Sequence, residues 1–457
     1  MPPFGDIARR ATPAILLGSA LFLAACTLPV VGLFDRDAPA DVALYESFGR
    51  RIVDGKIPYR DFYVEYPPGS LPAFVFPSLT GIDYPVAFKA TMAASFLLAL
   101  WCLALALAGI GASSARLYGS CAFAGLGPLA LGPTLLERYD PWPAALASAA
   151  LLALVLGRAR WAHATLALAT AAKVYPIVML PVFLRRGARS RPERRRLVVV
   201  FGTVLAAVLL PFVVLGPGGI RFSARVQLTR PLQVESLGGS LSFVVDRLGL
   251  GEITVSTEYG SQNVHGTAVG FLVALTLLAL LAALAATWLL FASGASSAER
   301  AAAASACAVT AFVAFGKVLS PQYLVWLVPL APLAFRRAWI PACSLLLLAM
   351  ALTHTWFPGH YGDVATLGDR GWVVLSRNLV LALLFGVMLW SLGRSVDGTS
   401  TSSPAGRAAW RGPPGLGAVA TSLIRRFVVE DEERSARNPE RRAAVSAEAR
   451  AVEREDD

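Results

Sequence analysis

The chain has 457 residues, of which 56% are hydrophobic and 16% are charged, and its formal net charge is +11. So small a charged fraction excludes an ordinary soluble domain. Apolar runs of about 20 residues recur along most of the length, and in hydrocarbon such runs form helices because every backbone polar group needs an internal partner. The sequence therefore predicts a multi-pass membrane protein. Its basic residues lie mostly in short loops, where they set orientation, so we expect contacts with membrane lipids and no nucleic-acid partner.

All five cysteines fall within predicted spans, where a thiol behaves as a small apolar side chain. No pair of histidines has the spacing of a metal site. We therefore expect no disulfide, no metal ion and no other cofactor.

The first predicted span covers residues 13–33. Arg9 and Arg10 precede it, which places its start in the cytoplasm, and its length favours a retained signal anchor over a cleaved signal peptide. Residues 34–84 then form an outer loop. Within this loop, apolar residues recur at helical spacing over residues 41–54, which predicts an amphipathic helix at the membrane surface.

The charges that flank residues 161–184 restrict how many times this segment can cross the membrane. Both flanks are basic, and the run 185–196 is the strongest cytoplasmic signal in the chain, so an even number of crossings must separate them. The segment is long enough for one span only. We therefore predict two half-helices that meet near Lys173 and Pro176, buried among other helices.

The remaining spans complete an all-α bundle of about 10–12 transmembrane helices. We expect them at residues 85–110, 116–134, 142–157, 197–216, 267–291, 301–316, 322–335, 338–356 and 373–393. The loops 34–84, 136–141, 217–266 and 357–371 then lie outside, and residues 70–80 form a short interfacial piece. The membrane domain is residues 1–394, and the polar residues 395–457 are expected to be a disordered cytoplasmic tail.

Several stretches carry a family resemblance when they are taken in order. The first outer loop contains DVALYESFGRRIVDGKIPYRDF followed by YPPG, and the later runs are AAKVYPIVMLPVFL, ESLGGSLSFVVDRLG, FGKVLSPQYLVWLVPL and SRNLVLALL. Together they resemble glycosyltransferase family 87, over most of residues 1–394. This family belongs to the C-type membrane glycosyltransferases and includes polyprenyl-phosphate-mannose-dependent mannosyltransferases.

The resemblance implies a C-type glycosyltransferase bundle in the inner (plasma) membrane with an extracytoplasmic active site. It implies a polyprenyl-phosphate sugar as donor, mannose as the expected sugar, and a lipid or a glycan as acceptor. It also implies an inverting mechanism with an aspartate of the first outer loop as general base. Asp41, with Tyr45, matches the Asp-x-x-x-Tyr pattern, and Asp35 and Asp37 compete with it. A structural role for Asp41, as the N-cap of the following helix, remains open.

Transfer from a lipid phosphate needs a carboxylate to take the acceptor proton and cations or hydrogen-bond donors to hold the phosphate. Asp61 and Glu65, beside Tyr63 and Tyr66, are candidates for recognising sugar hydroxyls; a solvated loop is the alternative. Asp140 is either a second acidic partner or half of a local ion pair with its neighbour Arg138.

Cationic candidates are spread over several loops. Lys173 either binds the donor phosphate, faces a carboxylate or extends to the inner surface. The other candidates are Arg225, Arg230, Lys317, Ser320, Gln322, Tyr323, His354 and Arg377. For these residues, contact with lipid head groups or a structural role at a helix end is the alternative.

A transporter or lipid flippase is the main competing function, and a scaffold without enzymatic activity is another. Transporters place polar residues near the bilayer midplane and show repeat symmetry. This chain instead gathers its acids and bases in the predicted outer loops, which favours the glycosyltransferase.

Overall fold

A computed structural model describes residues 3–28, 32–34, 41–258 and 260–397. Asp35, Asp37 and nearly all of the predicted tail lie outside the described residues. The helices are α1 Phe4–Thr27, α2 Val42–Val53, α3 Leu71–Ser78, α4 Tyr84–Gly109, α5 Ser114–Leu126, α6 Thr134–Glu137, α7 Pro141–Val155, α8 Ala159–Ala172, α9 Leu180–Gly187, α10 Arg191–Leu215, α11 Pro217–Thr229, α12 Leu237–Arg247, α13 Val269–Ser293, α14 Ala298–Phe315, α15 Leu324–Leu327, α16 Trp339–His354, α17 Tyr361–Ala365 and α18 Gly371–Asp397.

Among the described residues, seven helices are long and apolar enough to cross a membrane: α1, α4, α10, α13, α14, α16 (with the turn before it) and α18. The prediction of an all-α, multi-pass membrane protein is confirmed. The remaining predicted spans correspond to shorter helices, such as α7, or to helices that break within the protein.

The first helix begins earlier than predicted and ends earlier too. It runs from Phe4 to Thr27, so Arg9 and Arg10 form its second turn and do not precede it. Leu28 is extended, with φ −60° and ψ 128°. The next residue in the sequence is Pro29, and a residue before proline is disfavoured in the helical conformation.

Two predicted spans are not continuous helices. In place of 116–134, α5 ends at Leu126 and a 3₁₀ turn, Gly127–Ala130, follows. In place of 322–335, short turns alternate with the four-residue helix α15. Pro321, Pro329 and Pro332 interrupt the latter segment, and each lacks the N–H that a helix needs. Nearly all of residues 324–335 are buried by other elements, which is where broken backbone is tolerated in a membrane protein.

The predicted half-helices within 161–184 are confirmed. Helix α8 ends at Ala172, Lys173 is extended, and a 3₁₀ turn, Tyr175–Met179, leads into α9. The rings of His163 and Phe183, near the two far ends, lie 5.9 Å apart between centroids. The segment therefore returns to the side from which it started, as the basic flanks require, and we call it the hairpin.

The second long loop is more ordered than its composition suggests. Besides α11 and α12, it forms two antiparallel strands, β1 Ile253–Glu258 and β2 Ser261–Gly266, with Ile253 opposite Gly266. The apolar Ile253 and Val255 alternate with the polar Thr254 and Ser256 in β1, as in a half-exposed strand. The sequence predicted an outer loop over 217–266 in an all-α protein, so the two strands are a correction.

Helix α10 separates two chemically different ends of the molecule. Its first turns carry Arg191, Arg195 and Arg196, which line a groove with Arg160. Its last residue, Leu215, leads into Gly216, where an added Cβ would lie 2.6 Å from the backbone carbon of Tyr59. The basic groove and the first outer loop thus lie about 37 Å apart, the length of a 25-residue helix.

Candidate functional site

A cavity of about 620 Å³ lies at the end of the molecule that holds the predicted outer loops. Its lining comes from all four of these loops, from the tip of the hairpin and from the turn after α14. The candidate residues that line it are Asp41, Glu65, Tyr66, Lys173, Arg230, Ser320, Gln322 and Tyr323. Residues distant in sequence therefore share one concave site, the kind of surface that binds small molecules and cofactors.

Asp41 lies at the mouth of this cavity, where α2 begins. Its carboxylate pairs with the Arg138 guanidinium and accepts hydrogen bonds from the hydroxyls of Tyr45 (3.3 Å) and Tyr66 (3.4 Å). All three contacts use the same oxygen, Oδ2. Within the described part of the chain, the side chain makes no capping hydrogen bond to α2. The carboxylate is thus oriented by the cavity and not by the helix that follows it.

Tyr45, which donates to Asp41, is itself fixed by packing against another aromatic ring. Tyr45 is buried and stacks on Phe74, with centroids 4.7 Å apart and planes at 9°. Burial raises the pKa of the Tyr45 phenol, and the nearby Asp41 carboxylate raises it further. Tyr45 therefore remains a neutral hydrogen-bond donor to Asp41 across the physiological pH range.

Lys173, at the tip of the hairpin, forms the floor of the cavity. Its Nζ lies 2.7 Å from Asp140 Oδ1, which also accepts a bond from Trp326 Nε1 at 2.6 Å. The ammonium faces the rings of Tyr139, Tyr323 and Trp326, with Nζ 4.6–5.1 Å from each centroid. Such an aromatic box favours a cation. Asp140 is therefore an ion-pair partner of Lys173, and its sequence neighbour Arg138 pairs with Asp41 instead.

The opposite wall comes from the second loop. Arg230 lines the cavity and its Nε contacts Ser261 Oγ at 3.3 Å. The Glu65 side chain is part of the same lining, while its backbone carbonyl accepts bonds from Ser223 and Gln227 of α11. The cations of the lining are thus Arg138, Lys173 and Arg230, and its carboxylates are Asp41, Glu65 and Glu235.

Asp61, one of the predicted sugar contacts, does not line this cavity. Arg60 Nε donates to it at 2.8 Å and the Ile57 amide at 2.7 Å, so it closes a turn outside the cavity. The hydrogen bond from Arg60, together with that from Ile57, lowers the pKa of Asp61 to about 2. Its role is therefore to fix the loop that carries Tyr63 and Glu65.

Six other candidates also do not line the cavity. Tyr45 and Asp140 contact lining residues directly. The other four are Arg225, Lys317, His354 and Arg377. Arg225 is exposed on α11, and Lys317 donates to the Leu228 carbonyl at 3.0 Å. His354 packs beside Gly132. Arg377 is fully buried and donates to the Glu235 carbonyl at 2.9 Å. Arg377 is therefore linked to the cavity through the backbone of Glu235.

The sequence reading missed several lining residues, among them Arg138, Tyr139, Gln233, Glu235, Trp326 and Tyr361. A charged residue inside one of the motif runs was the signal for Glu235, the first residue of ESLGGSLSFVVDRLG. The signal for Arg138 as a lining residue was weaker, because Asp140, two residues away, suggested a local ion pair.

The sequence also matches the model of a known protein family. Glycosyltransferase family 87 matches residues 63–321, which is more than half of the chain. The chain belongs to glycosyltransferase family 87. The matched range contains every lining cation and both glutamates, and Asp41 precedes it. The chain is thus a membrane glycosyltransferase.

Other comparisons reach further relatives. No curated protein sequence matches the family 87 chain. The crystal structure of ArnT from Cupriavidus metallidurans bound to undecaprenyl phosphate is similar at 15% identity, covering 87% of this chain and 79% of that chain with a TM-score of 0.43. The apo state of the same protein gives 16% identity, 85% and 78% coverage, and a TM-score of 0.42.

The floor of the cavity gives the first prediction. Lys173→Met leaves the buried Asp140 carboxylate without its cation, so we predict a loss of about 3–5 kcal/mol in the free energy of unfolding. The melting temperature of the detergent-purified family 87 enzyme should fall by several degrees. The double variant Lys173→Met with Asp140→Asn should recover most of this loss, because it removes the uncompensated charge.

Lys56→Met is the matched control, since Lys56 is an exposed loop residue, and it should melt like the wild type. A Lys173→Met variant with the wild-type melting temperature, or a double variant no more stable than the single one, would show that the ion pair does not hold the floor.

Proposed function

We propose that this glycosyltransferase moves mannose, the sugar that the family resemblance implies, from a polyprenyl phosphate to a hydroxyl of a lipid or glycan acceptor. The reaction takes place on the extracytoplasmic face of the inner (plasma) membrane. One observation carries the proposal. A carboxylate, Asp41, and three cations from different segments line the same cavity.

Asp41 acts as the general base. Its Oδ2 is occupied by Arg138 and two tyrosine hydroxyls, so Oδ1 takes the proton of the acceptor hydroxyl. The acceptor oxygen attacks the anomeric carbon of the sugar as the bond from that carbon to the phosphate oxygen breaks. Polyprenyl phosphate leaves, and the configuration at the anomeric carbon is inverted. A positioned base of this kind contributes about 10²–10⁴-fold to a rate.

The cations hold the phosphate as negative charge develops on it. Arg230, Lys173 and Arg138 come from three different segments and line the same cavity, and Arg138 pairs with Asp41. Preorganised cations in a partly desolvated site stabilise a leaving phosphate without the cost of reorganising water. This arrangement supports a donor whose leaving group is a phosphate.

The orientation follows from the two ends of the molecule. Arg160, Arg191, Arg195 and Arg196 gather at the end opposite the cavity. Arginine-rich loops remain in the cytoplasm of inner-membrane proteins. The position of these arginines therefore supports an extracytoplasmic cavity.

Asp41→Asn tests the base directly. Transfer of radiolabelled mannose from polyprenyl-phosphate mannose to lipid or glycan in isolated membranes should fall by about 10²-fold or more. Protein level and melting temperature should stay near those of the wild type. Asp54→Asn, at the exposed far end of the same helix, should transfer at the wild-type rate.

Full activity of Asp41→Asn would remove Asp41 as base. Movement of the intact labelled lipid across the bilayer by the wild type, with no mannose transferred, would support a flippase and contradict the transfer itself.

Arg230→Gln tests the cationic wall. We predict that the KM for the polyprenyl-phosphate donor rises about tenfold, which corresponds to roughly 1.4 kcal/mol and matches the loss of one charge-assisted contact. Arg221→Gln changes an exposed arginine of α11, the helix that ends just before Arg230, and this arginine does not line the cavity. It should leave the donor KM unchanged. Equal KM values in the two variants would take Arg230 out of the donor site.

A further inference from the structure

A short strap, residues 230–236, crosses one side of the cavity and is held at several points. The backbone N–H of Gln233 donates to the Lys317 carbonyl at 3.0 Å, and the backbone N–H of Val234 donates to the Gln262 carbonyl at 3.1 Å. In return, the Leu232 carbonyl accepts from the Val264 amide at 2.8 Å. The strap is thus paired with β2 and with the turn after α14, so its side chains have fixed positions.

The last transmembrane helix fixes the strap at Glu235. Arg377 Nη2 and Asn378 Nδ2 both donate to the Glu235 carbonyl oxygen, at 2.9 and 3.1 Å. Asn378 also donates to Ser240 Oγ at 2.9 Å. All of these groups are buried. This explains why a fully buried arginine lies so near the cavity without lining it: it positions the backbone of the residue that does.

Two oxygens on the strap lack a donor. Glu235 and Gln233 are each only 2% exposed, and both residues line the cavity. Yet Glu235 Oε2 and Gln233 Oε1 have no hydrogen-bond partner within the residues that the structure describes. Buried polar atoms are nearly always paired. Two unpaired acceptors beside the same cavity therefore indicate a ligand that donates hydrogen bonds.

We propose that Glu235 and Gln233 bind hydroxyl groups of the sugar that is transferred, a subsite that rests on the proposed function of the cavity. A phosphate is unsuitable here because it would face a carboxylate, whereas a sugar hydroxyl is a donor. Arg230 lies on the same strap, five residues before Glu235. Since sugar and phosphate in such a donor are joined through a single oxygen, one strap can hold the phosphate at Arg230 and the sugar at Gln233 and Glu235.

The protonation of Glu235 is compatible with this role. Burial raises the pKa of the Glu235 carboxyl to about 7, against the lowering influence of Arg377 and Tyr361. Near neutral pH both forms of the carboxyl are populated, and each retains an acceptor oxygen. Sugar recognition therefore does not require one protonation state.

Two lipids that differ only in the sugar separate this role from phosphate binding. The dissociation constants of polyprenyl-phosphate mannose and of sugar-free polyprenyl phosphate are measured for the full-length enzyme in detergent. Glu235→Ala should weaken binding of the mannose lipid about tenfold, the effect of losing one buried contact. Its binding of the sugar-free lipid should stay within about twofold of the wild type.

Further variants keep the test independent of folding. Glu235→Gln preserves the size of the side chain and one acceptor oxygen. It should therefore weaken binding of the mannose lipid less than Glu235→Ala does. Gln233→Met, of similar length, should also affect the mannose lipid only. Glu252→Ala, an exposed glutamate of the same loop that does not line the cavity, should bind both lipids as the wild type does.

The possible failures are distinguishable. If Glu235→Ala and Glu235→Gln weaken both lipids equally, or neither, the sugar subsite is wrong while the proposed transfer stands. If the wild type binds neither lipid and transfers no mannose, the proposed function itself fails. If Glu235→Gln abolishes transfer but leaves binding of the mannose lipid unchanged, Glu235 acts as a proton acceptor and the proposed subsite is wrong.

Discussion

A buried ion pair between Lys173 and Asp140 joins three segments that are distant in sequence. Lys173 lies at the tip of the hairpin, Asp140 starts α7, and Trp326, which donates to the same carboxylate oxygen, belongs to the broken segment after α14. Lys173 and Trp326 lie where helices break inside the protein, and Asp140 is buried at the start of α7. Unpaired backbone and charge are costly in such places. The pairing offsets that cost, and it sets the floor on which the cavity is built.

The walls of the cavity depend on that floor. Tyr139 contacts both the Lys173 ammonium and the ring of Tyr66, with its centroid 5.0 Å from that of Tyr66, and Tyr66 in turn reaches Asp41. Arg138, one residue before Tyr139, pairs with Asp41. The carboxylate at the mouth is therefore connected to the floor through one short aromatic turn. The strap brings Arg230 and Glu235 to the same cavity, so its lining combines cations and acceptors.

Local pattern was enough to predict much of this architecture. Helical spacing predicted α2, and the parity of basic flanks predicted the hairpin at Lys173. The predicted span 322–335 was wrong, because the hydropathy of this stretch hid the break that its prolines cause. Partners that are distant in sequence could not be predicted. Arg138 pairs with Asp41, 97 residues away, and not with Asp140, two residues away. Glu235 was missed for the same reason, because only the folded strap places its side chain beside the cavity.

A structure of the enzyme with polyprenyl phosphate bound, determined by electron cryomicroscopy in a lipid nanodisc, tests the account most directly. The phosphate should lie in the cavity, with its oxygens about 3 Å from nitrogen atoms of Arg230 or Lys173, at the distance of a charge-assisted hydrogen bond, and with Asp41 facing the same space. A phosphate bound instead in the groove of Arg160, Arg191 and Arg195, at the opposite end of α10, would contradict the account.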